Sequence, residues 1–248
     1  MISKAKIKYI RSLELKKHRS TENVFVAEGP KVVGDLMAIA APTLLIHTAH
    51  WAPAAVQPGT EEIIVSDDEL RKVSFLQHPQ DVLAVFSQPT PSAALPDASH
   101  ALILALDGVQ DPGNLGTIIR IADWFGIEQI VCSHDTADAY NPKVVQATMG
   151  SIARVSVTYT DLVQYLTALP ADTPVYGTLL DGDSIYTTPL TTHGVIVMGN
   201  EGKGISAPIR RLITHRLLIP NYPMGRSTTD SLNVAIATAI TCSEFRRR

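Results

Sequence analysis

The chain has 248 residues, room for one large or two small domains. With 45% hydrophobic and 18% charged residues it can build a packed core, which excludes wholesale disorder. Its 21 basic and 24 acidic residues leave a formal net charge of −3, so any nucleic-acid contact has to come from a local patch.

The first thirty residues are such a patch. Lys4, Lys6, Lys8, Arg11, Lys16, Lys17 and Arg19 stand against Glu14, Glu22 and Glu28, and residues 4–19 read as one basic helix. VFVAEG (24–29) predicts a strand and 31–39 a helix. LLIHTA, EIIVS and DVLAVFS predict further strands, and Asp67–Val73 a short helix capped by Ser66. Residues 88–100 hold three prolines among small polar residues and read as a linker.

Beyond the linker the rhythm changes. Apolar runs at 101–106, 129–133, 153–159, 175–180, 194–199 and 216–220 alternate with helix-like segments at 115–125, 142–149, 160–168, 207–212 and 231–245. Alternating strands and helices, with strands apolar throughout, predict a parallel sheet covered on both faces. Ligands of such sheets sit beyond the carboxyl ends of the strands.

The two cysteines, Cys132 and Cys242, form neither a disulfide framework nor a CxxC pair, and read as buried thiols in a reducing, cytoplasmic setting. The basic N-terminus lacks the apolar stretch of a signal peptide, and no run approaches the roughly 20 apolar residues of a membrane span. The eight histidines show no HExxH or other paired ligand spacing, so no metal is expected.

Three polar, glycine-rich loops follow strands: DGVQDPGNLGTIIR (107–120), MGNEGKGIS (198–206) and IPNYPMGRSTTDSLN (219–233). In the first, Leu115, Ile118, Ile119 and Ala122 share one helix face, which points Arg120 elsewhere, and Asn114 can cap the helix. In the second, Gly202, Gly204 and Ala207 match G-x-G-x-x-A. However, Asn221 stands where a dinucleotide enzyme needs an acid, and the spacing of a P-loop is missing. In the third, Asp230 or Ser231 can cap the last helix.

NLGTIIRIADWFGI, IVMGNEGKGIS and IP followed by DSLNVAIATAI, in this order after ALILALDGVQDPGN, resemble the SPOUT superfamily, and within it the TrmH (SpoU) RNA 2′-O-ribose methyltransferases. NVFVAEGPKVVGDL resembles, more loosely, the small ribosomal-protein-like domain that many members carry. The resemblance implies an α/β fold: a small N-terminal α/β RNA-binding domain (1–88), a linker (89–100) and a C-terminal α/β-knot methyltransferase domain (101–248). The knot is implied by the resemblance alone, since chain physics argues against knots by default. It also implies S-adenosylmethionine held by Thr178, Met198, Gly199, Asn200, Gly202, Ile219 and Leu232. Catalytic positions fall on Asn114, Arg120, Glu201, Ser231 and Asn233. The implied partners are structured RNA, ribosomal RNA favoured over transfer RNA, and a second copy in a homodimer, with no membrane and no metal.

The chemistry agrees with that reading. Methyl transfer to a ribose 2′-oxygen is an in-line displacement that depends on orientation. An arginine is a poor base, so Arg120 is expected to bind an adjacent phosphate and stabilise the alkoxide. The Arg246–248 tail also suits phosphate contacts. Two departures stand out: Asp230 replaces the family's glutamate, and 221–229 is long, which bears on the roles of 224–230. A knotted RNA-binding protein without turnover is the alternative; an oxidoreductase using Gly202, Gly204 and Ala207 is a third reading, disfavoured by Asn221.

Overall fold

The computed structural model describes residues 1–90, 94–223, 226, 229 and 231–247. Asp230 and Arg248, and much of the 221–229 stretch, lie outside the described residues, as do residues 91–93 of the expected linker. The chain divides into two compact units: Met1–Thr90 with Asp138–Ala153, and Pro91–Ala137 with Arg154–Arg248.

The first unit begins with α1 (Lys4–Ser12) and α2 (Lys16–Glu22), where the sequence predicts one helix. Leu13 takes the C-cap position of α1 and packs into the core, which breaks the run. Then follow β1 (Val24–Glu28), α3 (Pro30–Met37), β2 (Leu44–His47), β3 (Glu61–Ile64), α4 (Asp67–Val73) and β4 (Val82–Ser87). The strands form one mixed sheet of order β1-β4-β2-β3. Ser66 caps α4 in a full capping box with Glu69.

Arg19 corrects the picture of a uniformly basic N-terminal face. It is 1% exposed, donates to the Leu13 and Glu14 carbonyls, and pairs with Asp138 at 2.5 Å. Lys6 pairs with Glu61, and Arg11 donates to the Ser74 carbonyl while lying over the Phe75 ring. Exposed lysines remain at Lys4, Lys8, Lys16 and Lys17.

The second unit contains β5 (Leu102–Asp107), α5 (Pro112–Trp124) and β6 (Gln129–Cys132). After α6 (Pro142–Ala147), which belongs to the first unit, come β7 (Ser156–Tyr159), α7 (Leu162–Thr167), β8 (Val175–Ser184), β9 (Gly194–Gly199), α8 (Ala207–Arg210), β10 (His215–Leu218) and α9 (Val234–Arg247). The sheet is parallel throughout, in the order β10-β8-β9-β5-β6-β7. Alternation along the strands turns Ile103, Ala105, Val195 and Val197 to a core shared with Leu162, Tyr165 and Leu166 of α7 and Ile209 of α8. The buried alternates Leu104 and Leu106 take the other face, and α5 and α9 pack against one another.

From β5 the chain winds outward through β6 to β7, then returns to the far side of β5 for β8, β9 and β10. β5 and β9 are neighbours with Asp107 opposite Gly199 at their carboxyl ends. The order of winding reverses there, which is where open α/β sheets open a crevice.

Candidate active site

Two loops leave that crevice. After β5, Gly108 adopts φ +71° and Asp111 caps α5, its carboxylate accepting from the Asn114 N–H at 2.8 Å. Asn114 therefore is not the cap. The helix starts at Pro112, Asn114 lies within its first turn, and its side chain is released for other partners.

After β9 the chain closes a tight turn in which Asn200 and Gly204 exchange backbone hydrogen bonds of 3.0 and 2.9 Å. Gly204 has φ +68°, and a Cβ on Gly199 would come within 2.3 Å of Gly204 backbone, so both glycines are required. The Asn200 amide donates to the Gly108 carbonyl at 2.6 Å and accepts from the Gly202 and Lys203 N–H groups. Asp107 accepts from the Ser206 N–H at 2.6 Å. The end of β5 thus holds this turn at both its ends.

The third loop reaches the same place. The last helix starts at Val234, and Asn233 caps it: its Oδ1 accepts from the Ala235 and Ile236 N–H groups at 3.0 and 3.3 Å. Ser231, expected as a cap, is exposed two positions before Asn233. The Asn233 Nδ2 donates to Asn114 Oδ1 at 2.9 Å, and the Asn114 Nδ2 donates to Glu201 Oε1 at 2.9 Å. Asn233, Asn114 and Glu201, from three loops, form one hydrogen-bonded chain.

Beside it lies a cavity of about 580 Å³, within the range of small-molecule sites. Thr178, Met198, Gly199, Asn200, Gly202, Ile219 and Leu232 all line it, as do Glu201 and Ser231. Leu217, Val234 and Ala237 add apolar wall, and Asp181, Lys203 and Arg210 add charge. Sequence reading missed Asp181 and Arg210. They come from an irregular stretch of β8 and from the end of α8, and no motif marks them.

Arg120 stands apart. It is exposed on α5, is not part of the cavity lining, and makes no hydrogen bond or ion pair among the described residues. Trp124, one turn further on, is 85% exposed. Helices α5 and α9 run side by side in the same direction. Asn114 and Asn233 join their starts, and Arg246 donates to the Phe125 and Gly126 carbonyls at the end of α5. Arg247 pairs with Glu244. Arg246 is therefore engaged within the fold, and Arg247, though paired with Glu244, stays exposed.

Among the described residues no group of three or more His, Cys, Asp and Glu side chains could hold a metal ion. Among the same residues no helix is long and apolar enough to cross a membrane.

Comparison with known proteins agrees with this geometry. The SpoU rRNA Methylase family matches residues 101–243, and the MRM3-like substrate binding domain matches residues 4–84. The 23S rRNA (guanosine(2553)-2′-O)-methyltransferase RlmP of Bacillus subtilis is 32% identical over 97% of this chain and 96% of its own. Among solved structures, a TrmH-family protein from Porphyromonas gingivalis is 42% identical, with a TM-score of 0.89 over 100% of this chain and 99% of its own. An AdoMet-bound rRNA methyltransferase from Sinorhizobium meliloti is 30% identical, with a TM-score of 0.85 over 100% of this chain and 96% of its own.

Proposed function

We propose that this chain, which belongs to the SpoU rRNA methylase family, carries out its RNA 2′-O-methyl transfer at the cavity beside Asn233, Asn114 and Glu201. Its C-terminal unit has the knotted α/β fold of that family. The observation that carries the assignment is the meeting of three separated loops in one hydrogen-bonded chain of side chains, at the edge of a cavity that two of the loops line.

The cavity suits S-adenosylmethionine. Its volume admits a nucleoside with an amino-acid tail. Met198, Leu217, Ile219, Leu232 and Val234 offer apolar wall for a purine, and the ends of β9 and β10 offer backbone polar groups. We assign Thr178, Met198, Gly199, Asn200, Gly202, Ile219 and Leu232 to holding it. When bound, it supplies an electrophilic methyl group on a sulfonium.

The chain's own residues then have to orient a ribose and stabilise its 2′-oxygen while the hydroxyl proton passes to solvent water. Asn114 and Asn233 fix each other and the starts of α5 and α9, which sets the cavity rim rigidly. Glu201, held by Asn114, orients groups at the junction of the loops. Ser231, exposed on the lining, offers a hydroxyl to the substrate. Arg120, with its fork of donors open, binds the phosphate beside the target ribose and stabilises the developing alkoxide.

The substrate we assign is structured RNA, ribosomal rather than transfer RNA, reached in the cytoplasm. The first unit, with exposed Lys4, Lys8, Lys16 and Lys17, contributes phosphate contacts. The assembly we assign is a homodimer built on α5 and α9, whose outer surface exposes Trp124 and Ile236. Arg120 and Trp124 are one helical turn apart, so a second copy covering Trp124 meets Arg120 at the same interface.

The test is calorimetric titration with S-adenosylmethionine and its demethylated product, with nicotinamide cofactors as controls. Transfer of labelled methyl to total RNA follows. Saturable binding of the methyl-donor pair with label in ribosomal RNA supports the assignment. RNA binding without donor binding or transfer would replace it with a knotted RNA-binding protein that lacks turnover.

A further inference from the structure

The parallel pairing of β10 with β8 is interrupted. His215 and Arg216 lie opposite Tyr176 and Gly177, but the next residue, Leu217, lies opposite Asp183. Residues 178–182 therefore drop out of the pairing with β10 as a bulge within β8. Gly182 is where the strand returns: a Cβ there would lie 2.7 Å from the Leu217 backbone and 2.8 Å from that of Arg216. The bulge carries Thr178, Leu179, Leu180 and Asp181 to the cavity wall.

In the bulge one carboxylate meets two guanidinium groups. Asp181 accepts from Arg210 at the end of α8 and from Arg216 of β10, the latter at 3.3 Å. Two cations on one anion leave this cluster one net positive charge; Arg216 stands behind the lining, where Asp181 and Glu201 balance Lys203 and Arg210. Arg210 spends Nη2 on Asp181, while its Nε and Nη1 have no partner among the described residues. The other cation on the lining, Lys203, is exposed and has no ion pair among the described residues. The Glu201 carboxylate is engaged by Asn114.

We propose that Arg210, held in place by Asp181, is the recognition group for the amino-acid carboxylate of the methyl donor. The proposal rests on the donor occupying this cavity. The donor carries a single carboxylate, which the apolar wall cannot satisfy. A guanidinium already ordered by an ion pair meets a carboxylate in a fixed planar geometry, at less entropic cost than a mobile lysine. Arg210 is the closer partner of Asp181 and Arg216 the more distant one, so the three groups together carry one net positive charge beside the open Nε and Nη1 of Arg210.

Ligand truncation isolates this contact. S-adenosylhomocysteine has the amino-acid end, and 5′-methylthioadenosine lacks it while keeping the adenosine and sulfur. Both are titrated calorimetrically into the full chain, as wild type, Arg210→Ala and Arg210→Lys. The expected result is about tenfold weaker S-adenosylhomocysteine binding in Arg210→Ala, with partial recovery in Arg210→Lys. Methylthioadenosine binding stays unchanged in both variants, and so also reports that they are folded. Equal weakening of both ligands, or of neither, overturns the proposal and leaves the donor site standing. Failure of the wild type to bind either ligand overturns the donor site and this proposal with it.

Discussion

The side chains of Asn114 and Asn233, 119 positions apart, meet through a 2.9 Å hydrogen bond that ties the first turn of α5 to the cap of α9. Because Asn233 also caps α9 and Asn114 also holds Glu201, a change at either residue is felt at both helix starts and at the loop after β9. Asn114→Ala removes both side-chain bonds. The expected loss in single-turnover methyl transfer is about 100-fold, the cost of misplacing a positioned group. Asn114→Asp keeps an acceptor for Asn233 but sets a carboxylate against Glu201, and is expected to recover none of that loss.

Arg120 is exposed, and no described residue bonds its side chain, so its substitution leaves the fold alone. Arg120→Lys keeps the charge but not the fork of donors. Methyl transfer is expected to fall by more than about tenfold, with the urea midpoint unchanged because unfolding free energy moves by under about 0.5 kcal/mol. Near-normal turnover in this variant would remove Arg120 from the mechanism.

Two glycines of the same loop are expected to respond differently to alanine. Gly199→Ala sets a methyl group 2.3 Å from Gly204 backbone and 2.4 Å from the Ile205 nitrogen. Overpacking against backbone costs about 1–3 kcal/mol, readable in urea unfolding. Gly202→Ala meets only the Asn200 Oδ1 at 3.7 Å, and its stability is expected to match the wild type.

In the first unit, Arg19 and Asp138 form an ion pair in which the arginine side chain is 1% and the aspartate 16% exposed. Arg19→Met leaves the Asp138 charge and two carbonyls without their partner. The expected loss is about 3 kcal/mol, at the low end for a broken buried pair because Asp138 keeps some water. Equilibrium denaturation measures it; a loss below about 1 kcal/mol would reduce the pair to the rank of a surface contact.

Cys132 and Cys242 are both buried. Burial raises the Cys132 thiol far above its ordinary range, and burial pushes the Cys242 thiol up to about 12 against a smaller opposing effect of Arg246. Both thiols therefore stay protonated across pH 7–9. A chromogenic disulfide reagent at pH 8 is expected to label neither in the folded protein and both after denaturation.

Much of the fold was legible because apolar runs and helical periodicity are local properties. The helix Asp67–Val73 and the strand Gly194–Gly199 fall where the sequence places them, since a serine cap opens one and a glycine closes the other. The starts of α5 and α9 were misread for one reason. Several adjacent polar residues could each cap a helix, and Asp111 and Asn233 were selected by where the flanking chain enters. The division of the basic N-terminus also escaped, because Arg19 is buried by Asp138, a partner 119 residues away.

By itself, the sequence determined the parallel α/β character, the three polar loops and the family to which they belong, since each is carried by contiguous residues. Only the tertiary structure decided what those loops do to one another. The strand order sets Asp107 beside Gly199, the return of the last helix brings Asn233 to Asn114, and a six-residue jump in the register of β8 delivers Asp181 to Arg210. Such meetings depend on chain reversal over many tens of residues, and contacts at that separation leave no periodicity in the sequence to read.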